Sequence, residues 1–417
     1  MKLIEGVHYL NNHPANIPFA NAINQYEEYF DTHASAEEKQ ARETTIKLFN
    51  LQYPKLDNYS LIYTTRELNF KLNLWEQYYK KTTLLSFPIF VQFPVDTQCN
   101  LHCVFCYYHE IREKLGDITL EDFKKMSYFL DFVWRVGLSG AGEPLFNPPF
   151  EEIWDYIVSK HPGININVCT NGTLLNDHWI DKIIEYNNCA INISLNAGTR
   201  ETYKKVMGGD YFYKVIENIY ALRSAMSLIN PCNIKLSISI VVIKENLNEV
   251  SRFIDVAKEL DVDIEIKKVY GKTEKLFATD TEKTESVLTE ASKKLYGVKT
   301  NVKSIPPNFF KDLKQDRKAV CDDEPILDKK LIDVPGRPSE KGICRYPWIS
   351  LYLTNFANAA PCLFFSRPIN DIREQTFQEI WNGEDFIKLR ETVNTNNLLP
   401  ECQNCLLQKK KNCINVI

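Results

Sequence analysis

The chain has 417 residues, 44% of them hydrophobic and 25% charged, the composition of a soluble globular protein with a sizeable core. Lys and Arg number 50 against 54 Asp and Glu, a formal charge of −4, so nothing favours nucleic acid or an anionic membrane surface as a partner. The N-terminus lacks an apolar signal-like stretch and no later run approaches the roughly 18 apolar residues of a membrane span, which predicts a cytoplasmic protein without a membrane partner.

Residues 1–87 read as an extension that packs on something else, aromatic-rich and nearly balanced in charge. Ser35-Ala-Glu-Glu38 has the capping-box pattern of a helix start, and Leu68, Leu72, Trp75 and Tyr79 form an apolar stripe at helical spacing. From 88 to 271, strand, loop and helix alternate. Strand candidates begin near Phe90, Val133, Ile164, Ile191, Ile234 and Val262. One helix between them starts after Thr119, with Asp122 three residues on; a second carries Ile153, Trp154 and Ile157, and a third Val215, Ile219, Leu222 and Met226. The alternation predicts an α/β fold with a parallel sheet, either open and doubly wound or a partial barrel, with ligands at the C-terminal ends of the strands. Polar, glycine-bearing segments fall at those ends. Residues 272–340, charged and marked by Pro306-Pro307 and Pro335-Gly-Arg-Pro338, read as a connector, and 341–417 as a small cysteine-bearing module that builds little core alone.

In a reducing compartment the twelve cysteines point to metal or redox chemistry wherever they cluster. Cys99-Asn-Leu-His-Cys103-Val-Phe-Cys106 puts three thiols on one loop after the first strand. Three thiolates are one short of the four that complete a zinc site or a cubane cluster. His109 is the one nearby candidate for a fourth zinc ligand, whereas a cluster with three thiolates leaves one iron open to a small molecule. Cys344, Cys362, Cys402 and Cys405 form a second set whose spacing suits zinc and a cluster equally. Cys169, Cys189, Cys232, Cys321 and Cys413 lack tight-spaced partners and read mostly as small buried hydrophobes.

The first set, spaced C-x3-C-x2-C with the aromatic Phe105 before its third cysteine, resembles the signature of the radical S-adenosylmethionine (SAM) enzymes. Gly140-Ala141-Gly142-Glu143-Pro144 resembles that family's glycine-glycine-glutamate-proline motif, with Ala141 a departure. Thr170-Asn171-Gly172 and Ser194-Leu-Asn196 follow where relatives approach the cofactor. The resemblance implies a partial (β/α)6 barrel over 88–271 and a 4Fe-4S cluster on Cys99, Cys103 and Cys106. It implies SAM contacts from Phe105, Gly140, Ala141, Gly142, Glu143, Asn171, Ser194 and Asn196. An electron from a flavodoxin or ferredoxin-type reductant would then yield a 5′-deoxyadenosyl radical.

The C-terminal segment, with Cys344-Arg-Tyr-Pro-Trp348 and Phe377-Gln-Glu-Ile-Trp381, resembles the SPASM or twitch modules appended to such enzymes. Its five cysteines past 340 support one auxiliary 4Fe-4S cluster, fully ligated by Cys344, Cys362, Cys402 and Cys405, with Cys413 a substitute or spare. Full ligation implies electron transfer or structure, so substrate oxidation is the expected outcome. Epimerisation and elimination stay open, with Cys232 and Cys321 as unplaced hydrogen donors, and no catalytic side chain is assigned. Residues 1–87 do not resemble the winged-helix leader-binding module of peptide-modifying relatives. That tilts the expected substrate toward a sugar or aminocyclitol, with a ribosomal peptide as the alternative and a non-catalytic zinc or iron-sulfur protein as the third reading.

Overall fold

A computed structural model describes residues 80–268 apart from 96, 107, 109–117 and 128, residues 344–405 apart from 355–357, 363, 364, 366, 368, 372–374, 376 and 404, and seven positions between 66 and 77. The helix start at Ser35, the stripe of Leu68, Leu72, Trp75 and Tyr79, the connector 272–340, and His109, Cys321 and Cys413 lie outside these residues. Among the described residues no helix is long and apolar enough to cross a membrane.

The six expected strands form in order: β1 (Phe90–Phe93), β2 (Arg135–Leu138), β3 (Asn165–Thr170), β4 (Cys189–Ser194), β5 (Lys235–Val242) and β6 (Asp263–Lys268). β2 starts later than Val133 because Leu130–Phe132 curl into a 3-10 turn. Each strand pairs parallel with its predecessor, giving the order β6-β5-β4-β3-β2-β1. A doubly wound sheet reverses its strand order partway across. Across β1 to β6 this one never does, so of the two expected architectures the partial barrel is the one built.

The helices follow from local chemistry. α1 (Leu120–Met126) opens on the expected capping box, Thr119 accepting from the Asp122 amide while the Asp122 carboxylate receives the Thr119 amide. α2 (Pro149–Lys160) buries Ile153, Trp154 and Ile157. α3 (Asp177–Tyr186) is capped by the Asn176 side chain and α4 (Arg200–Met207) by Thr199. α5 (Phe212–Met226) buries Val215, Ile219 and Leu222, and α6 (Val250–Leu260) buries Phe253 and Ile254.

These side chains share one core with Ile166, Val168, Ile191, Ile193, Ile238 and Ile266 on the helix-facing side of the sheet. The opposite face is different in kind. Because side chains alternate along a strand and in-register neighbours point the same way, Cys169, Asn192, Ser237 and Asp263 form one row and Ser194, Ser239 and Glu265 the next. A parallel sheet covered on both faces reads as near-continuous apolar runs. Here one face is polar, as the concave wall of a barrel that must hold something polar would be.

The C-terminal segment adds α7 (Tyr346–Ile349), then β7 (Ser350–Thr354), β8 (Asn358–Ala360) and β9 (Ile369–Asp371). β7 pairs parallel with β1, Phe90 opposite Ser350 and Gln92 opposite Tyr352, and β8 and β9 follow antiparallel, so the sheet has nine strands. α8 (Phe377–Trp381), α9 (Glu384–Thr392) and α10 (Pro400–Gln403) complete it.

The expectation that this segment builds little core of its own is matched by how it borrows one. Phe377 stacks on Phe129 at 4.3 Å and on Phe87 at 5.4 Å, and Phe87 stacks on Phe132 at 4.3 Å. Residues 80–88 act as mortar. Leu84 exchanges two hydrogen bonds with the Asn382 side chain, Trp381 Nε1 donates to Ser86 O at 2.9 Å, and Trp348 Nε1 donates to Lys81 O at 2.8 Å. Arg390, buried under the rings of Trp381 and Phe386, donates to Thr82 O and Pro347 O. Positions between 66 and 77 in helical conformation turn a polar stripe inward: Arg66, Asn69, Asn73 and Glu76 are buried.

Candidate active site

The loop after β1 is held from two sides. On one, Glu143 N donates to Gln98 O at 2.8 Å, and Gly142 lies so close that a Cβ there would meet Gln98 O at 2.2 Å. On the other, Val104 N donates to Val206 O at 3.0 Å, and Gly208, at φ +71°, packs on His102 O where a Cβ would come to 2.6 Å. Between these clamps Cys99, Cys103, Phe105 and Cys106 are half-buried. Leu101 N donates to Cys99 Sγ at 3.4 Å, Cys103 Sγ lies 3.6 Å from Met207 Sδ, and Cys106 N closes a turn onto Cys103 O.

Glu143 follows Gly140, Ala141 and Gly142 at the end of β2, and Ala141 is buried. The Glu143 carboxylate is buried and receives three donors: Thr170 Oγ1, the Asn171 amide at 2.6 Å and the Leu145 amide at 3.2 Å. Burial outweighs them and raises its pKa from an ordinary 4.5 to about 7. Asn171 in turn donates to Asn100 Oδ1 at 2.9 Å, and Asn100 donates to Thr173 Oγ1 at 2.8 Å. The ends of β1, β2 and β3 are thus one knot, in which Gln98, Asn100 and Thr173 were not singled out by the sequence reading. Asn100 beside Cys99 was the available hint.

Ser194, half-buried at the end of β4, places its hydroxyl 3.4 Å from Cys169 Sγ. Asn196 is spent differently. Held at φ +57° and buried, its Oδ1 accepts from Val241 N at 2.7 Å, its Nδ2 approaches Met207 Sδ at 3.3 Å, and its carbonyl receives Asn246 Nδ2 at 3.0 Å. Its amide fastens β4 to β5 and α4. Below these ends the polar wall is wired into a ring. Lys267 Nζ donates to Asn192 Oδ1 at 3.3 Å and pairs with Glu265 at 2.9 Å, Asn192 Nδ2 donates to Ser237 Oγ at 2.8 Å, and Ser237 Oγ donates to Glu265 at 3.3 Å.

At the C-terminal end Cys344, Cys362, Cys402 and Cys405 are half-buried. Burial pushes the Cys344 thiol up to about 12, with Cys362, Cys405 and Cys402 adding to the push, and Cys402 up to about 11, with Cys405 next in effect. The Cys344 thiol therefore feels the other three. Asn394 clamps the start of this set, its side chain bonding both Cys344 N and Cys344 O.

No three Cys, His, Asp or Glu side chains among the described residues come close enough to share a single ion. Zinc, with Zn–S bonds of about 2.3 Å, would draw its thiolates to about 4 Å from one another. A cubane takes each thiolate on a different iron, so three or four thiolates that do not converge on one point are a donor set such a cluster accepts.

Comparison with known proteins agrees. Residues 94–257 match the Radical SAM superfamily model and residues 344–406 an iron-sulfur cluster-binding domain, SPASM. The AdoMet-dependent heme synthase of Methanosarcina barkeri is 26% identical over 323 residues, 73% of this chain and 85% of that protein. The antilisterial bacteriocin subtilosin biosynthesis protein AlbA of Bacillus subtilis is 23% identical over 72% of this chain and 61% of its own length. Among solved structures, SuiB of Streptococcus suis bound to S-adenosylmethionine superposes with a TM-score of 0.58 at 15% identity, covering 88% of this chain and 82% of SuiB. The two domain matches imply a 4Fe-4S cluster with SAM in the barrel and iron-sulfur ligation in the C-terminal domain. The chain belongs to the radical SAM superfamily and carries a SPASM domain over residues 344–406.

Proposed function

We propose that this protein is a radical SAM oxidoreductase that abstracts a hydrogen atom from a small polar molecule of sugar or aminocyclitol type. The observation that carries the reading is the polar inner face of the parallel sheet. Its ring of Lys267, Asn192, Ser237 and Glu265 presents hydroxyls, an amide and an ion pair of no net charge, which suits a neutral, hydroxyl-rich substrate better than an apolar one. The thiols of Cys99, Cys103 and Cys106 would hold the barrel cluster, and those of Cys344, Cys362, Cys402 and Cys405 one auxiliary 4Fe-4S cluster. When bound, the first with SAM supplies a 5′-deoxyadenosyl radical and the second an acceptor for the electron an oxidation releases.

The chain's own part is placement. Gly142 brings the backbone after β2 against the thiol loop, Glu143 locks the end of β3 to it, and Ser194 offers a hydroxyl beside the lumen. Half-buried Phe105 and exposed Val104 put apolar side chains on the loop between its second and third thiols. A flavodoxin or ferredoxin-type reductant would deliver the electron.

A second reading, modification of a ribosomally made peptide, draws on the likeness to AlbA, named for biosynthesis of a bacteriocin. The test is anaerobic. Protein reconstituted with iron and sulfide, reduced and given SAM should release 5′-deoxyadenosine, and the Cys106→Ala variant none. Stimulation by a low-molecular-mass metabolite fraction supports the small-molecule reading, stimulation by a peptide fraction the second. No product from iron-loaded protein would leave a non-catalytic metal protein.

A further inference from the structure

The Asn171 side chain lies between the end of β3 and the loop that carries the first thiols. Its Oδ1 accepts from Thr173 N at 2.9 Å and Thr173 Oγ1 at 2.7 Å, and its Nδ2 donates to Asn100 Oδ1 at 2.9 Å. Turning the amide over would set oxygen against oxygen and donor against donor, so its orientation is fixed. The same Nδ2 reaches Cys99 Sγ at 3.9 Å, from a side chain only 7% exposed, where water competes little for the sulfur. Asn171 is itself anchored from behind, its backbone amide donating to Glu143.

We infer that Asn171 is a positioning residue whose side-chain N–H, aimed at the Cys99 sulfur, favours the reduced form of the iron-sulfur cluster held there. This rests on the cluster assignment made above. One-electron reduction adds negative charge that the cluster's sulfurs share, and a fixed N–H dipole pointed at one of them stabilises the reduced form more than the oxidised one. Neither Asn171 nor Cys99 changes its bonds in the process; the residue acts through the sulfur alone.

Asn171→Leu removes the donor with little change in size, and Asn171→Asp removes it while keeping the shape. Asn218→Ala is the control for a merely loosened loop: Asn218, on α5, donates to Gly172 O at 2.7 Å, a bond that does not involve the thiols. Each full-length protein, reconstituted with iron and sulfide, is titrated potentiometrically with EPR detection in the absence of SAM. The barrel cluster is told from the C-terminal one by the change in its signal when SAM is then added.

Both Asn171 variants should load as much iron as the parent and become harder to reduce, by about tenfold in the equilibrium constant, or about 59 mV for one electron. The Asp variant should fall further because its carboxylate adds charge. Asn218→Ala should keep the parent's potential. An unchanged potential in Asn171→Leu, loss of the cluster from that variant, or an equal fall in Asn218→Ala would each overturn the inference and leave Asn171 a loop fastener. A parent protein that takes up no cluster sinks the cluster assignment itself, a failure distinguishable from all three.

Discussion

Replacing Glu143 by Gln tests the knot at its centre. The carboxylate is buried with three donors aimed at it, yet its pKa stands near 7 because desolvation exceeds what those donors return. A carboxyl that holds its proton more tightly folded than unfolded makes the folded state the greater binder of protons. Its contribution is therefore fully present below pH 4.5 and is lost as pH rises through about 7. The full loss is about 3 kcal/mol, from roughly 2.5 pK units at about 1.36 kcal/mol each. Between pH 8 and pH 6 the wild type should regain about 1.3 kcal/mol of it.

Gln carries no charge to desolvate, but its amide can match only part of the site. With its oxygen facing Thr170 and Leu145, its nitrogen faces the Asn171 N–H that the carboxylate accepted at 2.6 Å, a mismatch of about 1–3 kcal/mol. At pH 8 that cost and the relief from charge burial nearly cancel, and the variant should be close to wild type in stability. At pH 6 it should be weaker by about a further 1.3 kcal/mol. Urea denaturation of the cofactor-free protein at the two pH values measures this difference. A variant whose gap to wild type stays constant, or narrows on acidification, would refute the argument that Glu143 is buried near its titration point.

Two other substitutions probe the clamps. Gly142→Ala puts a Cβ 2.2 Å from Gln98 O, a backbone atom that cannot swing aside, so the thiol loop must move. A loss of about 1–3 kcal/mol is expected by denaturation, together with less iron retained after reconstitution. Arg390→Met strips the donors from Thr82 O and Pro347 O inside the joint between barrel and C-terminal segment. It should cost at least about 2 kcal/mol, about 1 kcal/mol or more for each orphaned carbonyl. Limited proteolysis should then cut first between residues 344 and 405.

The barrel was legible because its signals are local. The Thr119–Asp122 box, the apolar faces of α2 and α5 and the starts of most strands rest on neighbours within a turn or a strand, and each appears near its expected place. Hydropathy alone left an open sheet and a barrel undecided, since crossover order leaves no mark on it, and it was the motif resemblance that chose the barrel. Thiol spacing marked both thiol sets, but spacing serves zinc and a cluster alike, and it is the two domain matches that favour iron and sulfide.

The buried stripe of Arg66, Asn69, Asn73 and Glu76 escaped notice because a search for apolar periodicity passes over polar residues that pack inward to cap distant carbonyls and amides. Asn196 was marked by its motif, while the partners of its amide, Val241 and Met207, are ones no short segment reveals.

The bond between β1 and β7 has a bearing on inheritance. Two proteins that trade their tails by recombination normally need only a compatible linker. Here the tail brings the neighbour of the barrel's first strand, and the ring stack from Phe132 through Phe87 to Phe377 crosses the same seam. A tail lacking a strand that runs parallel to Phe90–Phe93 would leave that edge bare, a template for pairing with other chains. Selection must therefore treat the thiol set after β1 and the set around β7 and β8 as one inherited unit, and a change in the barrel's first strand is answerable to residues more than two hundred positions away.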